Sequence, residues 1–434
     1  MLDSKQPAWK LNGGTQETGK IPSKIHCGLI VSSGARRLAF QETPRREPMF
    51  IAEHRLEGNL RRCKVLANRH PAIIGESLFM PQHPSTVTLD FRHASADVVR
   101  GDLSACDMTG SCLWLACDET TTVERLITRD GVRFAEHQAF SLGHVFELPA
   151  GEDQEIDIEG LTHDGDYLWI TGSHSLNRKK PKRHEKDPKE ALRRLSIVES
   201  DPNRYFLARV PLVPAEERGI YALVRSGIAG ATAACLPMEA GTNPLAEALA
   251  KDPLLGRFTH IPCKENGLDV EGIAARGDRV FLGLRGPVLR GWATILEIEV
   301  RSESPELLAL NAIGPRGEAY RSHFLDLDGL GVRDLALDGG DLVILAGPTM
   351  DLDGPSRIYR WRKALKAKGP EIVTHHRIDR LLDVPHGKGA DHAEGLVLIE
   401  GSARRVLVVY DSPAASRLHK GGTAIDADVF ILPS

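Results

Sequence analysis

Three short phrases in the sequence place carboxylates at a fixed spacing beside a glycine. Residues 157–161 are Asp-Ile-Glu-Gly-Leu, residues 269–273 are Asp-Val-Glu-Gly-Ile, and residues 392–396 are His-Ala-Glu-Gly-Leu. Side chains two positions apart lie on the same side of a β-strand, so each Asp and its Glu would face one way. Clustered carboxylate oxygens suit a hard cation such as calcium, and a carboxyl group can also act as a general acid or base.

The phrases therefore supply two overlapping sets of candidates. The candidate metal ligands, with Ca²⁺ as the possible cofactor, are Asp157, Glu159, Asp269, Glu271 and Glu394. The candidate acid/base residues are Glu159, Glu271, Glu394 and His174. The alternative role is structural, because an Asp or Glu in a repeated phrase can also bond to the backbone of a neighbouring repeat, and a single loop histidine is often only a hydrogen-bonding residue.

Basic and amide side chains near these phrases are candidates for holding a polar or anionic ligand. They are Arg285, Arg290, Arg333, Lys264 and Asn266. For the two arginines of the 285–290 segment an ion pair between repeats is the alternative, and Asn266-Gly267 is also an ordinary turn sequence. No helix follows the glycines of residues 283–291, so they do not form a phosphate-binding loop.

The phrases belong to a repeat. Each is followed within a few residues by a strand-like apolar run, and two weaker copies, at residues 102–106 and 331–335, fit the same frame. Repeats of roughly 40–60 residues with about four strands each and glycine-rich turns are typical of a β-propeller. We predict an all-β fold, a single propeller of about five blades, with a short helical insertion at residues 244–251 in the second repeat. Six blades remain possible if residues 219–265 contain a degenerate one.

A propeller would bring these candidates together. The first strand of each blade is innermost and lines the central channel, so the phrases would begin that strand at one channel mouth. The second strand runs back antiparallel and ends at the same mouth, where residues 118–119, 171–175, 284–290, 347–350 and 410–413 fall. Two independent sets of unusual residues thus converge on one face.

The N-terminal segment differs from the rest. Residues 1–79 contain 13 Lys/Arg and 7 Asp/Glu and lack the repeat. We predict that they are a poorly ordered basic extension, or that translation begins near Met80. Residues 80–434 would form the propeller, closed by a strand at 86–91 that pairs with the C-terminal repeat, since closure removes an exposed sheet edge.

Composition excludes several classes of function. The net charge is −4, and the repeats alone are more acidic, which argues against nucleic acid as the main partner. The seven cysteines lack zinc-site spacing. No apolar run is long enough to span a membrane, and the first ten residues do not have a signal-peptide pattern, so we expect a cytoplasmic protein. The oligomeric state stays open. The basic run at residues 177–194 is either a solvated surface or an attractor of anions.

Four segments resemble a bacterial family known as domain of unknown function 3616. They are residues 155–161, 167–174, 264–273 and 283–291. The resemblance covers roughly residues 85–432 and implies a β-propeller, without an established reaction. The Asp-x-Glu-Gly phrase is also similar to one in esterase-like propeller relatives of phytase.

Two functional classes follow. The first is an uncharacterised binding propeller whose channel mouth takes a small polar or anionic ligand, a cation or a protein partner. The alternative is a metal-assisted hydrolase of esters or phosphoesters, so whether the protein is an enzyme stays open at this point.

Overall fold

The computed structural model describes residues 55–56, 59–60, 84–92, 96–182, 184–239, 241–399, 401, 404–419 and 422–433. The chain divides at Ile74 into two units, and the second unit, Gly75–Ser434, carries the repeats. Of residues 1–79 only two short strands are described, β1 (Arg55–Leu56) and β2 (Asn59–Leu60), which pair antiparallel with each other. The prediction of a poorly ordered extension otherwise lies outside the described residues.

Repeat one forms four antiparallel strands that pair in sequence order. Its second strand is the apolar run Cys-Leu-Trp-Leu-Ala-Cys and is buried along its whole length. A fully buried strand of this kind packs between two layers rather than facing water. The elements up to the end of this repeat are β3 (Ser85–Asp90), α1 (Ala96–Gly101), β4 (Leu103–Thr109), β5 (Cys112–Cys117), β6 (Thr122–Thr128) and β7 (Arg133–Ser141).

Repeat two carries the insertions. The predicted short helix is present at Pro244–Ala250, where the Asn243 side chain accepts a hydrogen bond from the Ala246 backbone N–H and caps the first turn. Residues 219–265 add two short strands, and both pair with the third long strand of this repeat. The elements are β8 (Ile158–Asp164), β9 (Tyr167–Gly172), β10 (Asn177–Arg178), α2 (Pro188–Leu195), β11 (Val198–Glu199), β12 (Leu207–Pro214), β13 (Tyr221–Leu223), β14 (Ala234–Cys235) and α3 (Pro244–Ala250), with 3₁₀ turns at Pro202–Tyr205, Ile228–Gly230 and Gly256–His260.

Repeats three and four are also antiparallel sheets, linked by one strand that pairs parallel with the fourth strand of repeat three. Repeat three contains β15 (Asp269–Arg276), β16 (Arg279–Leu289), β17 (Trp292–Ser302), β18 (Leu308–Leu310) and β19 (Tyr320–Asp326). Repeat four contains β20 (Gly331–Asp338), β21 (Asp341–Gly347), β22 (Ser356–Trp361), the linking strand β23 (Glu371–Val373) and β24 (Ile378–Val384), with a 3₁₀ turn at Ala364–Lys366.

Repeat five is completed by a strand from the other end of the repeat region. Its own strands are β25 (His392–Ile399), β26 (Arg405–Asp411) and β27 (Ala424–Ile431). The strand β3 pairs antiparallel with β27, which is the partner expected for it, and its other edge pairs parallel with β7. The sheets of repeats five and one are therefore continuous.

The first strands of the repeats stand side by side around a central axis. In cyclic order β4, β8, β15, β20 and β25 each contact the next, and β25 contacts β4. One buried apolar cluster lies between each pair of neighbouring repeats, with Trp114, Trp169, Trp361, Tyr410 and Phe134 among the largest side chains in them. No repeat can bury its faces alone, so stacking around the axis forms the core. The fold is a β-propeller, as predicted.

Candidate functional site

The repeated phrase contains a β-bulge at the same position in every repeat. In each first strand one residue has no partner on the second strand, so the pairing register shifts there. A bulge turns one side chain away from the regular alternation and often lies beside a functional site. The bulged residues are Ser104, Glu159, Glu271, Arg333 and Glu394.

The glycine after the bulge lets the first strands approach one another. A Cβ atom on Gly272 would lie 2.9 Å from the backbone of Asp334 in the next repeat, and one on Gly395 would lie 3.0 Å from the backbone N of Cys106. Gly160 is similarly close to Glu271 O, at 3.0 Å. The ring of first strands is therefore narrow, and the bulged side chains of neighbouring repeats are forced into one small region.

Repeats one and four use the phrase differently. Ser104 donates a hydrogen bond to Ile158 O at 2.5 Å. Asp334, at the glycine position of repeat four, accepts from the backbone N–H groups of Leu335 and Leu396, both at 2.7 Å. These two side chains make the bonds to neighbouring backbone that a structural role requires. The three phrase glutamates make no such bond to backbone. Glu271 and Glu394 contact arginine side chains, and Glu159 has no partner among the described residues.

Two arginines hold most of the acidic residues of repeats three and five. Arg285 places its Nη2 atom 2.5 Å from Asp269 Oδ2 and its Nη1 atom 2.9 Å from Glu271 Oε1. Arg333 Nη1 lies 3.2 Å from Glu271 Oε2 and also contacts Glu394, while its Nη2 donates to Pro348 O at 3.1 Å. The result is a buried chain of ions across β15, β20 and β25.

A third arginine, Arg204, pairs with acidic residues of repeat two. The sequence analysis did not predict it. Its Nη1 lies 2.7 Å from Asp157 Oδ2 and its Nη2 donates to Glu155 Oε1 at 2.6 Å. Arg204 belongs to the 3₁₀ turn Pro202–Tyr205 between the second and third strands, outside the repeated phrase. Its Asp-Pro-Asn sequence indicates a capped turn, and nothing in it indicates a channel residue.

Glu159 and Asp118 are among the carboxyl groups at the mouth that have no cationic partner in the described residues. Glu159, at the bulge of repeat two, makes no hydrogen bond or ion pair there, and Asp118, at the end of β5, receives only a weak contact from the Cys117 thiol. Burial and the carboxylates of Asp157 and Glu271 raise the pKa of Glu159 well above its usual range. Burial, followed by the charge of Asp157, raises the pKa of Asp118 to about 8.

Two more aspartates join this acidic side. Asp102 and Asp411 face each other across a single β-bridge between the start of repeat one and the end of β26. Burial and the charge of Asp411 raise the pKa of Asp102 to about 6, and burial followed by the charge of Glu394 raises the pKa of Asp411. The mouth therefore contains more carboxyl groups than its three arginines neutralise.

A small cavity opens beside these ion pairs. Its volume is about 50 Å³, enough for a few water molecules or a small ligand group. Lys264, Arg285, Arg333, Glu394 and Asp411 line it. Lys264 is exposed and has no ion pair among the described residues.

Three of the predicted site residues are engaged elsewhere. The ring of His174 lies between the carbonyl of Gly172, 2.9 Å from Nδ1, and the Asn243 amide, 2.8 Å from Nε2, and burial lowers its pKa to about 4. Asn266 bonds to the backbone of Val288, accepting from its N–H at 2.9 Å. Arg290 is exposed in the β16–β17 turn and does not line the cavity. None of the three therefore faces a ligand in the cavity.

The predicted metal ligands meet arginines rather than one another. Four of them, Asp157, Asp269, Glu271 and Glu394, pair with a guanidinium, and only Glu159 is unpaired. Across the described part of the chain, no group of three or more His, Cys, Asp and Glu side chains has the geometry to hold a metal ion.

Four residues at the mouth have a left-handed backbone conformation. Asp157, His174, Asp391 and Ser412 all have positive φ angles, between 48° and 58°, and lie at the ends of first or second strands. Residues other than glycine adopt this conformation only where surrounding structure imposes it, and such residues cluster at functional sites.

In the described residues no helix is long and apolar enough to cross a membrane.

Solved structures similar to this chain include enzymes and a binding protein. The Myxococcus xanthus glutaminyl cyclase is 11% identical, with 82% of this chain and 100% of that chain covered and a TM-score of 0.35. The calcium-binding protein regucalcin from Agrobacterium tumefaciens is 9% identical, covering 80% and 96%, with a TM-score of 0.33. A putative 6-phosphogluconolactonase from Bacteroides fragilis is 10% identical, covering 72% and 64%, with a TM-score of 0.29. At this identity and similarity they say nothing about activity.

No curated protein matches the chain. The family model described as "Protein of unknown function (DUF3616)" matches residues 102–428. This span begins just before β4 and ends within β27, so it takes in nearly the whole ring. The chain therefore belongs to the DUF3616 family.

Proposed function

We propose that the protein is a binding propeller whose channel mouth takes a small polar ligand bearing a positively charged group. The observation that carries the proposal is the pair of unpartnered carboxyl groups, Glu159 and Asp118, in a mouth whose arginines are already paired. A buried carboxyl without a cation keeps its proton, because the charged form is poorly solvated. A cationic ligand would supply the missing charge and let these groups ionise.

The remaining polar groups favour a ligand that is more than a simple ion. Lys264 lines the cavity without an ion pair among the described residues, so it is free to meet an anionic or carbonyl group of the same ligand. The ion pairs with Arg285 and Arg333 would hold the side chains of Glu271 and Glu394 in place. An organic ammonium or guanidinium compound fits this arrangement better than a bare metal ion, for which the described residues offer no ready set of ligands.

The test is a binding comparison between matched variants. Isothermal titration calorimetry at pH 7 would use putrescine, L-lysine and calcium chloride as probes, with the wild type, Glu159→Gln, Asp118→Asn and the exposed control Glu216→Gln. The amides resemble the protonated carboxyls of the empty mouth, so we expect the fold to be kept. We expect an amine to bind, and either mouth variant to weaken it roughly tenfold, as for loss of one charge-assisted hydrogen bond.

Proton release provides a second readout of the same binding. If the empty mouth holds protons on Asp118 and Glu159, binding of a cation at pH 7 must expel part of them. The measured heat should then depend on the ionisation enthalpy of the buffer, and less so in Asp118→Asn. Amine binding of equal strength in the wild type and both mouth variants would contradict the proposal.

A hydrolase is the second candidate function. The observation in its favour is that Asp118, with a pKa of about 8, lies near the arginine-paired Asp157, so a protonated and an ionised carboxyl share one site. Acid/base catalysis needs such a pair. A screen of phosphate and carboxylic ester substrates, with and without calcium, would be run on the wild type, Asp118→Asn and Glu271→Gln. Turnover that both substitutions leave unchanged would remove the mouth from any reaction.

A further inference from the structure

The channel has a second opening, at the opposite ends of the first strands. Its cavity has a volume of about 670 Å³, far larger than the cavity at the mouth and within the range of small-molecule sites. All five repeats contribute to its walls. We call it the distal cavity and define it by Met108, Leu337, Leu398, Ile399 and Arg405.

The distal cavity and the cavity at the mouth are lined by different residues. The residue two positions after each bulge is almost completely buried. These residues are Cys106, Leu161, Ile273, Leu335 and Leu396. Each lies in an apolar cluster between two neighbouring repeats, and Leu161, Leu335 and Leu396 also line the distal cavity. Because the two cavities have no lining residue in common, a ligand of the distal cavity would contact none of the charged residues that line the cavity at the mouth.

The walls of the distal cavity are mixed: most of their surface is polar, and four apolar side chains lie among the polar groups. Met108, Leu337, Leu398 and Ile399 are half-buried and line the cavity with the ends of β4, β20 and β25. Apolar surface left in water is unfavourable by about 25 cal/mol per Å². An apolar ligand group that displaced water from these walls would therefore be stabilised there.

Most charged residues around the opening of the distal cavity have a partner of opposite charge. Asp107 is held by His163, whose Nδ1 lies 2.7 Å from Oδ2, and Asp338 is 3.2 Å from Arg404 Nη1 and 3.5 Å from Arg360 Nη2.

The other charged residues at the rim are Asp164, Arg276 and Arg405. Asp164 accepts from the Gly277 N–H at 2.6 Å and lies 3.7 Å from Arg276 Nε. Arg405, half-buried at the start of β26, has no ion pair or side-chain hydrogen bond among the described residues. Among the described residues each aspartate of the rim thus has a partner, while the guanidinium of Arg405 has none.

We propose that the distal cavity binds an amphipathic anion, an alkyl or aryl carboxylate, with its apolar body on Met108, Leu337, Leu398 and Ile399 and its carboxylate at Arg405. The four apolar side chains favour an apolar body because its contact with them removes water from their surface. The unpaired guanidinium selects a planar carboxylate, which it can bind through two parallel hydrogen bonds. This site uses no residue of the proposed cation site, so either proposal can fail without the other.

The experiment compares three ligands with the same chain and different heads. Decanoate, decanol and decyltrimethylammonium would be titrated into the full-length protein by calorimetry, below their micelle concentrations. We expect decanoate to bind tightest and Arg405→Gln to weaken it about tenfold, while leaving decanol binding unchanged. Leu398→Asn should weaken decanoate and decanol alike. The controls Arg257→Gln and Leu254→Asn, both exposed and outside the cavity, should change neither.

Thermal unfolding of every variant would show that the fold is kept. Decanoate binding that Arg405→Gln leaves unaltered would overturn the assignment of the carboxylate to that residue. Equal affinity for decanoate and decyltrimethylammonium would overturn the choice of an anion. Absence of binding by all three ligands would overturn the site itself, and weakening by Leu398→Asn but not by Leu254→Asn supports it.

Discussion

Residues at equivalent positions of the repeat have different electrostatic environments. Glu271 forms ion pairs with two guanidinium groups, whereas Glu159 forms none among the described residues and the neighbouring carboxylates raise its pKa, although both occupy the bulge of an Asp-x-Glu-Gly phrase. The difference comes from what the neighbouring second strand supplies. Repeat three places Arg285 there, and repeat two places Thr171 and Gly172. The chemistry of each copy is thus decided outside the phrase.

The pKa of Asp118 predicts how stability depends on pH. Folding raises it from about 3.9, the ordinary aspartate value, to about 8, so between these pH values the folded chain binds more protons than the unfolded chain. The contribution of this group to the free energy of unfolding is largest below its pKa in the unfolded chain, and it is lost as the pH rises towards 8. Urea unfolding at pH 5 and pH 8 should show the wild type weaker at pH 8, with a smaller difference in Asp118→Asn.

The matched control for this prediction is Asp278→Asn, which changes an exposed aspartate in the β15–β16 turn. It should keep the pH dependence of the wild type. An Asp118→Asn protein whose stability falls with pH as steeply as the wild type would show that Asp118 holds no proton in the folded state.

Sequence reasoning found the residues whose position the repeat fixes. The phrase glutamates, Arg285, Arg333 and Lys264 all lie at the mouth, because the start of the first strand and the end of the second share one edge of the ring. Arg204 was missed since it lies in an insertion that follows no repeat. His174 and Asn266 were selected by residue type. In the structure His174 contacts the Gly172 carbonyl and the Asn243 side chain, and Asn266 bonds to the Val288 backbone, and the sequence does not show these partners.

At the scale of elements, the bulge and its glycine act together. The bulge directs one side chain towards the axis, and the glycine removes the Cβ that would hold the neighbouring first strand away. Alternation along the strand did not predict the extra residue, because a bulge leaves no separate mark in the apolar pattern.

Substitution of one of these glycines should loosen the ring. In Gly272→Ala the new Cβ would lie 2.9 Å from backbone atoms of Asp334, which cannot move without shifting β20. We expect a loss of about 1–3 kcal/mol in the free energy of unfolding, as for other overpacked sites. Urea denaturation would measure it against Gly340→Ala, whose Cβ would have no atom within 4 Å. Equal stability of the two variants would mean that the strands are not in close contact.

At the scale of the whole molecule, the ring is closed by a strand distant in sequence. β3 supplies the fourth strand of repeat five, and Leu89 within it is fully buried in the cluster between repeats five and one. The alternating pattern of residues 86–91 and the missing fourth strand of repeat five made this pairing predictable. The parallel contact of β3 with β7 was not, since two sheets meeting edge to edge have no sequence signature.

The closing strand should be sensitive to loss of its buried side chain. Leu89→Ala is expected to lower the free energy of unfolding by about 2–5 kcal/mol, the range for a leucine replaced in a core. Thermal and urea unfolding would be compared with Leu254→Ala, where the leucine is 52% exposed. Closure through β3 would be refuted if the two substitutions had equal effects.

The same strand has a consequence for the kinetics of folding. Thr88 Oγ1 donates a hydrogen bond to Asp426 Oδ1 at 3.0 Å across 338 residues of sequence. Contacts of such separation form slowly, because the entropy of closing a long loop must be overcome before they stabilise anything. During synthesis β3 can pair with β7 once repeat one has been made, but its other edge must stay unpaired until β27 has left the ribosome. For that interval its edge is open to other chains, and a chaperone that covers it would raise the yield of native protein.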